Sequence, residues 1–133
     1  MGAQGKQMNN ILIIDDDPAT TRLLEVLLTR EGYNIQTENL SDKAMQSTKQ
    51  FNPNLIILDL MMPGADGLEI CKAMKNDPEL GHIPILMFTS ANQDDIRSRA
   101  MAAGINEYIS KPIHPNDLKQ KIREWLDKNN PTN

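Results

Sequence analysis

The sequence predicts a doubly wound α/β fold built on a five-stranded parallel sheet. Three observations carry that prediction. Strand-like and helix-like segments alternate five times along the chain; two of the strand segments, "NILIID" (10–15) and "LIILD" (55–59), are almost unbroken apolar runs; and Gly, Pro or a capping residue bounds most of the helix-like segments. An unbroken apolar run marks a strand covered on both faces, and such strands joined by helices require a parallel sheet with right-handed crossovers. The expected strand order is the flavodoxin-like 2-1-3-4-5.

Taken in order, "NILIID" reads as the first strand. "PATTRLLEVLLTREG" (18–32) follows as a helix: Leu23, Leu24, Leu27 and Leu28 recur at helical spacing, Pro18 suits its first turn, and Gly32 stops it. "YNIQTE" (33–38) alternates as the second strand, and "SDKAMQSTKQF" (41–51) reads as a helix with Ser41 as its N-cap. "LIILD" is the third strand. Beyond the "PGADG" loop, Leu68, Ile70, Cys71 and Met74 form the apolar stripe of the third helix. The polar stretch "NDPELGH" (76–82) leads into "IPILMFTS" (83–90), the most apolar segment and hence a central strand, with Pro84 near its start where proline is tolerated. "DDIRSRAMAAG" (94–104) is a weakly apolar helix ending at Gly104. "EYIS" (107–110) is a short fifth strand, and "HPNDLKQKIREWLDKN" (114–129) closes with an amphipathic helix around Leu118, Ile122, Trp125 and Leu126.

These elements occupy residues 10–129 and make one domain, with residues 1–9 expected as a disordered leader and 130–133 as a flexible tail or linker stump. A length of 133 residues, 39% hydrophobic and 24% charged, is enough for a buried core. The net charge of −4 with no basic cluster argues against direct nucleic-acid binding. No stretch approaches a membrane span and the N-terminus has no signal-peptide core, so the expected setting is cytoplasmic. Gly2 resembles a myristoylation start, but Lys6 stands where that motif needs Ser or Thr. A single cysteine, Cys71, excludes an internal disulfide and falls in the apolar pattern of a helix, as a small packed residue.

Ligands of open α/β sheets bind beyond the carboxyl ends of the strands. There strand one ends in Asp15-Asp16-Asp17, strand three in Asp59, strand four in Thr89-Ser90, and strand five runs into Lys111-Pro112. In the order 2-1-3-4-5 these ends are neighbours, so several carboxylates, a hydroxyl and an ammonium converge on one rim. Clustered carboxylates call for a cation, and hard oxygen ligands suit Mg²⁺. A nucleophile, a cation and donors for equatorial oxygens are what a phosphoryl-transfer site needs.

With these residues in hand, the chain resembles the receiver domain of bacterial two-component response regulators. The resemblance covers residues 10–129 and rests on "IIDDDP", "LDLMMPGADGLE", "MFTS" and "YISKPI" in that order. It implies that Asp59 is the phosphoacceptor, that Asp16 is a direct Mg²⁺ ligand with Asp15 holding a metal-bound water, and that Met61 supplies only its backbone carbonyl. It further implies that Lys111 binds the phosphoryl group, within a cis Lys-Pro peptide, and that Thr89 and Tyr108 form a switch pair whose hydroxyl moves toward the phosphoryl group as the ring turns inward. The affected surface would be helix four, strand five and helix five. Implied partners are a sensor histidine kinase or a histidine phosphotransfer protein as donor, and a downstream protein or output domain as receiver of the signal, with a phosphorylation-dependent homodimer as one form. The chemistry is performed on the chain itself, so it is not expected to be an enzyme.

Other residues have simpler readings. Asp17 should cap the first helix and Asp66 the third. The Met61-Met62 pair reads as packing, His82 and His114 as surface or capping residues, and Trp125 as core or interface. Two positions depart from the family pattern. Ser90 stands where Ala is commoner, and Met61 and Ala91, which flank the phosphoryl position, cannot hydrogen-bond a water through their side chains. Slow self-dephosphorylation is therefore expected. A phosphatase of the haloacid-dehalogenase type would need a second acid two residues after Asp59, where Met61 stands, and a flavin binder would need a Gly- or hydroxyl-rich loop where "DDDP" stands. A receiver that only binds partners is disfavoured by the presence of every ionisable group the chemistry needs.

Overall fold

The computed structural model describes residues 8–62, 64–91 and 93–129. Five strands form one sheet: β1 (Asn10–Ile14), β2 (Asn34–Glu38), β3 (Leu55–Leu58), β4 (Ile85–Thr89) and β5 (Glu107–Ser110). They are all parallel and lie in the order β2-β1-β3-β4-β5, as the sequence predicts. The helices are α1 (Pro18–Thr29), α2 (Ala44–Phe51), α3 (Gly67–Asn76), α4 (Asp94–Ala102) and α5 (Pro115–Asn129).

Successive strand residues point to opposite faces, so the apolar runs feed two cores. Ile11, Ile13, Leu55, Ile57 and Phe88 pack with Leu24 and Leu28 of α1 and with Leu118, Ile122 and Leu126 of α5. On the other face Leu12, Ile14, Ile56, Leu58 and Met87 meet Ala44 of α2, Leu68, Cys71 and Met74 of α3 and Ala100 of α4. All four β3 side chains are at most 2% exposed. Each aliphatic side chain buried to that degree stabilises the fold by about 1.5–3 kcal/mol before chain entropy is counted.

Several local expectations are corrected. Leu23 does not join the α1 stripe: Leu24 and Leu28 are buried, whereas Leu23, about 100° further round the helix, is 68% exposed. Ser41 is not the N-cap of α2. The chain enters that helix through a 3-10 turn (Ser41–Lys43), closed by the Lys43 N–H on the Leu40 carbonyl at 3.1 Å. Helix α1 stops at Thr29, and a turn through Gly32, at φ 95°, hands the chain to β2. Strand β4 begins at Ile85 because Pro84 has no N–H; the Pro84 carbonyl still accepts from Ile56 at 3.0 Å. The Asn9 carbonyl, at the end of the expected leader, accepts from the Asn34 N–H at 2.9 Å; residues 1–7 of that leader and the expected tail 130–133 lie outside the described residues.

The loop after β3 is more ordered than its Pro-Gly sequence suggests. Met61–Met62 pairs antiparallel with Ala65–Asp66, so the segment doubles back as a two-residue ribbon before α3 starts. The return brings Gly67 against the end of β3. A Cβ there would lie 2.7 Å from the Asp59 carbonyl oxygen and 2.8 Å from Leu60 Cα, so only glycine lets α3 begin so close to β3. At the opposite pole, Lys75 Nζ donates to the Ile83 carbonyl and to Asn106 Oδ1, both at 2.9 Å, and the same Oδ1 accepts from the Ile85 N–H. Cys71 is buried, donates to the Ala103 carbonyl at 3.5 Å, and has its thiol pKa pushed up by burial to about 11, as suits a packing residue. Among the described residues no helix is long and apolar enough to cross a membrane.

Candidate functional site

Strands β1 and β3 end side by side, and the residues that follow them, Asp15 and Asp59, are buried at 3% and 7% exposure. Asp16 joins them at half-burial, and the three carboxylates can each bring one oxygen within 4.8 Å of the others. Lys111 reaches into the group from the end of β5. Its Nζ lies 2.9 Å from Asp15 Oδ2 and 4.0 Å from Asp59 Oδ2, and sits 5.2 Å from the centre of the Phe88 ring. The Lys111–Pro112 peptide is cis.

Each carboxylate has a different local environment. Asp15 Oδ1 accepts the Asp17 N–H at 2.9 Å, while its other oxygen is held by Lys111. Asp59 Oδ1 accepts the Met61 N–H at 3.3 Å. Burial pushes the Asp59 carboxyl above the ordinary carboxylate range, and the Asp15 charge adds to the rise; Lys111, the Met61 N–H and the Thr89 hydroxyl act in the opposite direction. The Asp16 carboxylate has no hydrogen bond or ion pair with any described residue and faces a cleft of about 560 Å³ that Met61, Ile96 and Arg99 also line. Three hard oxygen donors around a common point, one of them without a partner, fit a small divalent cation.

Asp17, the third acid of the run, lies outside the cluster and caps α1 by accepting from the Ala19 N–H at 3.2 Å. The Thr20 hydroxyl, bonded to the same carboxylate, is the main reason its pKa sits below the ordinary value. Asp66 caps α3 through the Leu68 N–H at 2.9 Å. His114 Nδ1 accepts the Asn116 N–H at the start of α5, His82 is exposed, and Trp125 Nε1 donates to Glu107 at 2.7 Å. Met62 is buried and packs in the core as expected, whereas Met61 does not: its side chain is 61% exposed at the cleft and its N–H meets Asp59.

Thr89 ends β4 fully buried, and its Oγ1 accepts from the Ala91 N–H at 3.2 Å. Tyr108, on neighbouring β5, is turned inward, and its hydroxyl donates to the Ala91 carbonyl. Residue 91 thus links the expected switch pair through its own backbone. The Arg97 guanidinium lies 4.8 Å from the centre of the Tyr108 ring, a contact between α4 and β5 that no local sequence signal marks. Asn39, likewise unforeseen, donates to the Asp15 carbonyl at 2.7 Å.

Fold and rim together define a class: a doubly wound α/β domain with an acidic, cation-ready pocket at the carboxyl ends of its central strands. Residues 11–123 match the family of response regulator receiver domains. The DNA-binding dual master transcriptional regulator RpaA of Synechocystis is 34% identical over 119 residues, which cover 90% of this chain and 49% of RpaA. The response regulator PleD of Caulobacter vibrioides is 35% identical over 113 residues, covering 85% of this chain and 25% of PleD. The solved structure of a CheY-like response regulator receiver domain protein from Methanospirillum hungatei superposes with a TM-score of 0.88 at 26% identity, covering 94% of this chain and 98% of that one. The chain belongs to the response regulator receiver domain family, whose members are signalling domains of two-component systems. It spans about half or less of the length of these two curated relatives.

The Asp59 environment has a consequence for stability. A carboxyl whose folded pKa is raised binds its proton more readily in the folded state, so stability falls as pH rises from the unfolded value, about 3.9, through the raised one. At neutral pH the ionised Asp59 therefore destabilises the metal-free fold. Asp59→Asn is expected to stabilise the protein in EDTA by about 0.5–2 kcal/mol at neutral pH, with the gain shrinking below about pH 4. Urea denaturation at the two pH values checks this, and a variant less stable than wild type at neutral pH would contradict it.

Proposed function

We propose that this chain is a phosphorylatable receiver with Asp59 as its acceptor, and that it uses Mg²⁺ held by Asp15, Asp16, Asp59 and the Met61 carbonyl. The observation that carries the reading is the convergence of three carboxylates and Lys111 on one rim, with Asp59 the buried member that Lys111 does not hold tightly. An Asp59 oxygen attacks the phosphorus of a phosphohistidine. The O–P bond forms as the P–N bond breaks, the electron pair leaves on the imidazole nitrogen, and an acyl phosphate remains on Asp59. Mg²⁺ bound in the acidic cluster would neutralise charge on the transferring phosphoryl oxygens.

The protein groups supply the rest. Lys111 stands between Asp15 and Asp59 and can exchange its contact with Asp15 for a phosphoryl oxygen, while the face of Phe88 keeps the ammonium near the rim. The Thr89 hydroxyl is the nearby neutral donor. Its move toward a phosphoryl oxygen would give up the Ala91 N–H, and Ala91 is the residue whose carbonyl holds Tyr108. New charge at Asp59 thereby biases the α4–β5–α5 face, where a downstream protein, an output domain or a second copy would read it. The donor is a sensor histidine kinase or a histidine phosphotransfer protein, and the site is compatible with self-dephosphorylation as the only hydrolytic chemistry.

Three outcomes test this reading. Incubation with Mg²⁺ and acetyl phosphate should add one phosphoryl mass to the intact protein, and the adduct should be absent in EDTA and in Asp59→Asn. No adduct on the folded wild type would leave only a partner-binding role. The phosphoprotein should be long-lived, because neither Met61 nor Ala91 can orient water through its side chain. Met61→Asn should shorten the lifetime about tenfold or more, and rapid decay unaltered by that change would refute the idea. Tyr108→Ala should leave the adduct intact while abolishing the phosphorylation-dependent chemical-shift changes in α4 and α5, measured by amide NMR with beryllofluoride; unchanged shifts would remove Tyr108 from the switch.

A further inference from the structure

The Asp15 main chain is held on both sides by consecutive residues, the last of β2 and the first of the turn that follows. Its N–H donates to the Glu38 carbonyl at 3.1 Å, which extends the β1–β2 pairing by one residue. Its carbonyl accepts from Asn39 Nδ2 at 2.7 Å, and the same nitrogen donates to Thr21 Oγ1 at 3.2 Å. The Thr21 hydroxyl proton is directed elsewhere, to the Pro18 carbonyl at 3.1 Å, so Thr21 faces Asn39 as an acceptor. A carbonyl oxygen only accepts, which fixes the amide nitrogen of Asn39, not its oxygen, on this side. The turn itself is tied down, because the Glu38 carboxylate accepts both the Leu40 N–H and the Ser47 hydroxyl.

The carbonyl that Asn39 holds belongs to the peptide unit joining Asp15 to Asp16. A peptide unit is planar, so holding its oxygen also fixes the direction in which Asp16 leaves. That matters for Asp16 alone among the three acids. Asp15 is anchored by Lys111 and the Asp17 N–H, and Asp59 by the Met61 N–H, but the Asp16 carboxylate has no partner among the described residues. Its aim toward the other two is set by the backbone.

We propose that Asn39 is a positioning residue of the cation site: through the Asp15–Asp16 peptide it sets the direction of the one carboxylate in the cluster that nothing else holds. The inference rests on the reading of that cluster as a Mg²⁺ site. Polar groups that orient metal ligands without touching the metal are worth about 10–100-fold in affinity when removed.

The experiment is a MgCl2 titration followed by amide NMR shifts, on wild type, Asn39→Ala and Asn39→Asp, with thermal unfolding in EDTA beside it. Asn39→Asp separates positioning from charge. It keeps the shape and loses the donor, yet adds a negative charge near the cluster, which by Coulomb attraction alone would tighten cation binding. Both variants should bind Mg²⁺ about tenfold more weakly than wild type while remaining folded. Wild-type affinity in Asn39→Ala, or tighter binding in Asn39→Asp, would overturn the proposal and leave the Mg²⁺ reading intact. Failure of the wild type to bind Mg²⁺ would instead sink the Mg²⁺ reading, and the proposal with it. Should Asn39→Ala not fold, the isosteric Asn39→Asp carries the test; loss of the fold in both would make Asn39 a structural residue and reject the positioning role.

Discussion

Two buried carboxylates share one ammonium, and the architecture exists to permit that arrangement. Asp15 and Asp59 are both less than a tenth exposed, and their mutual repulsion is part of what raises the Asp59 pKa. Without Lys111 the rim would hold uncompensated charge in a poorly solvated place, which is among the costlier things a fold can contain. Lys111 lies 96 residues from Asp15 in the chain and meets it at 2.9 Å only because β5 lies on the same side of β1 as β3 and β4 do. The strand order is therefore as much a part of the site as the side chains are.

The compensation is deliberately uneven. Lys111 is close to Asp15 and at the limit of pairing distance from Asp59, so of the two buried acids Asp59 is the less neutralised. Asp16 has no hydrogen bond or ion pair with any described residue. A rim with three acids and one close cation favours any additional positive charge, and it lowers the stability of the empty fold in the same measure. That cost is offset by the two cores on either side of the sheet, where β1 and β3 contribute aliphatic side chains that are almost wholly buried. Such a balance between a stable scaffold and a strained rim is general to functional sites.

What could be read from the sequence follows from the range of the forces involved. The β1 and β3 runs and the Asp17 and Asp66 caps are local signals, and each takes the expected role. The strand order and the acidic rim were legible too, because a parallel sheet constrains where consecutive strand ends lie. Leu23 misled because a run of four leucines at helical spacing looks like one stripe, although the buried stripe needs only Leu24 and Leu28. Ser41 misled because cap preference cannot tell the start of an α-helix from the start of the 3-10 turn that precedes one. Asn39, Asn106 and Arg97 gave no signal at all. Their partners Asp15 and Lys75 are 24 and 31 residues distant, and the ring under Arg97 lies on another element.

The same logic of distance explains how the rim can speak to the surface. Asp59 and Tyr108 do not touch; between them stands Thr89, buried and bonded to the backbone of Ala91, which in turn holds the Tyr108 hydroxyl. Thr89 accepts the Ala91 N–H through its oxygen, and in the proposed function its proton would turn to a phosphoryl oxygen on Asp59. Tyr108 has a ring pinned from outside by Arg97 and a hydroxyl pinned from inside by Ala91. A change at Thr89 therefore acts on a residue already gripped at both ends. In a close-packed interior such a grip is held or released as a unit, so under the proposed function the response at α4 would be a choice between two packings, not a graded drift. Ala100 is the buried residue of α4, with Ile96 partly buried beside it, so few large side chains anchor that helix. In the proposed switch it is the helix that Tyr108 would move.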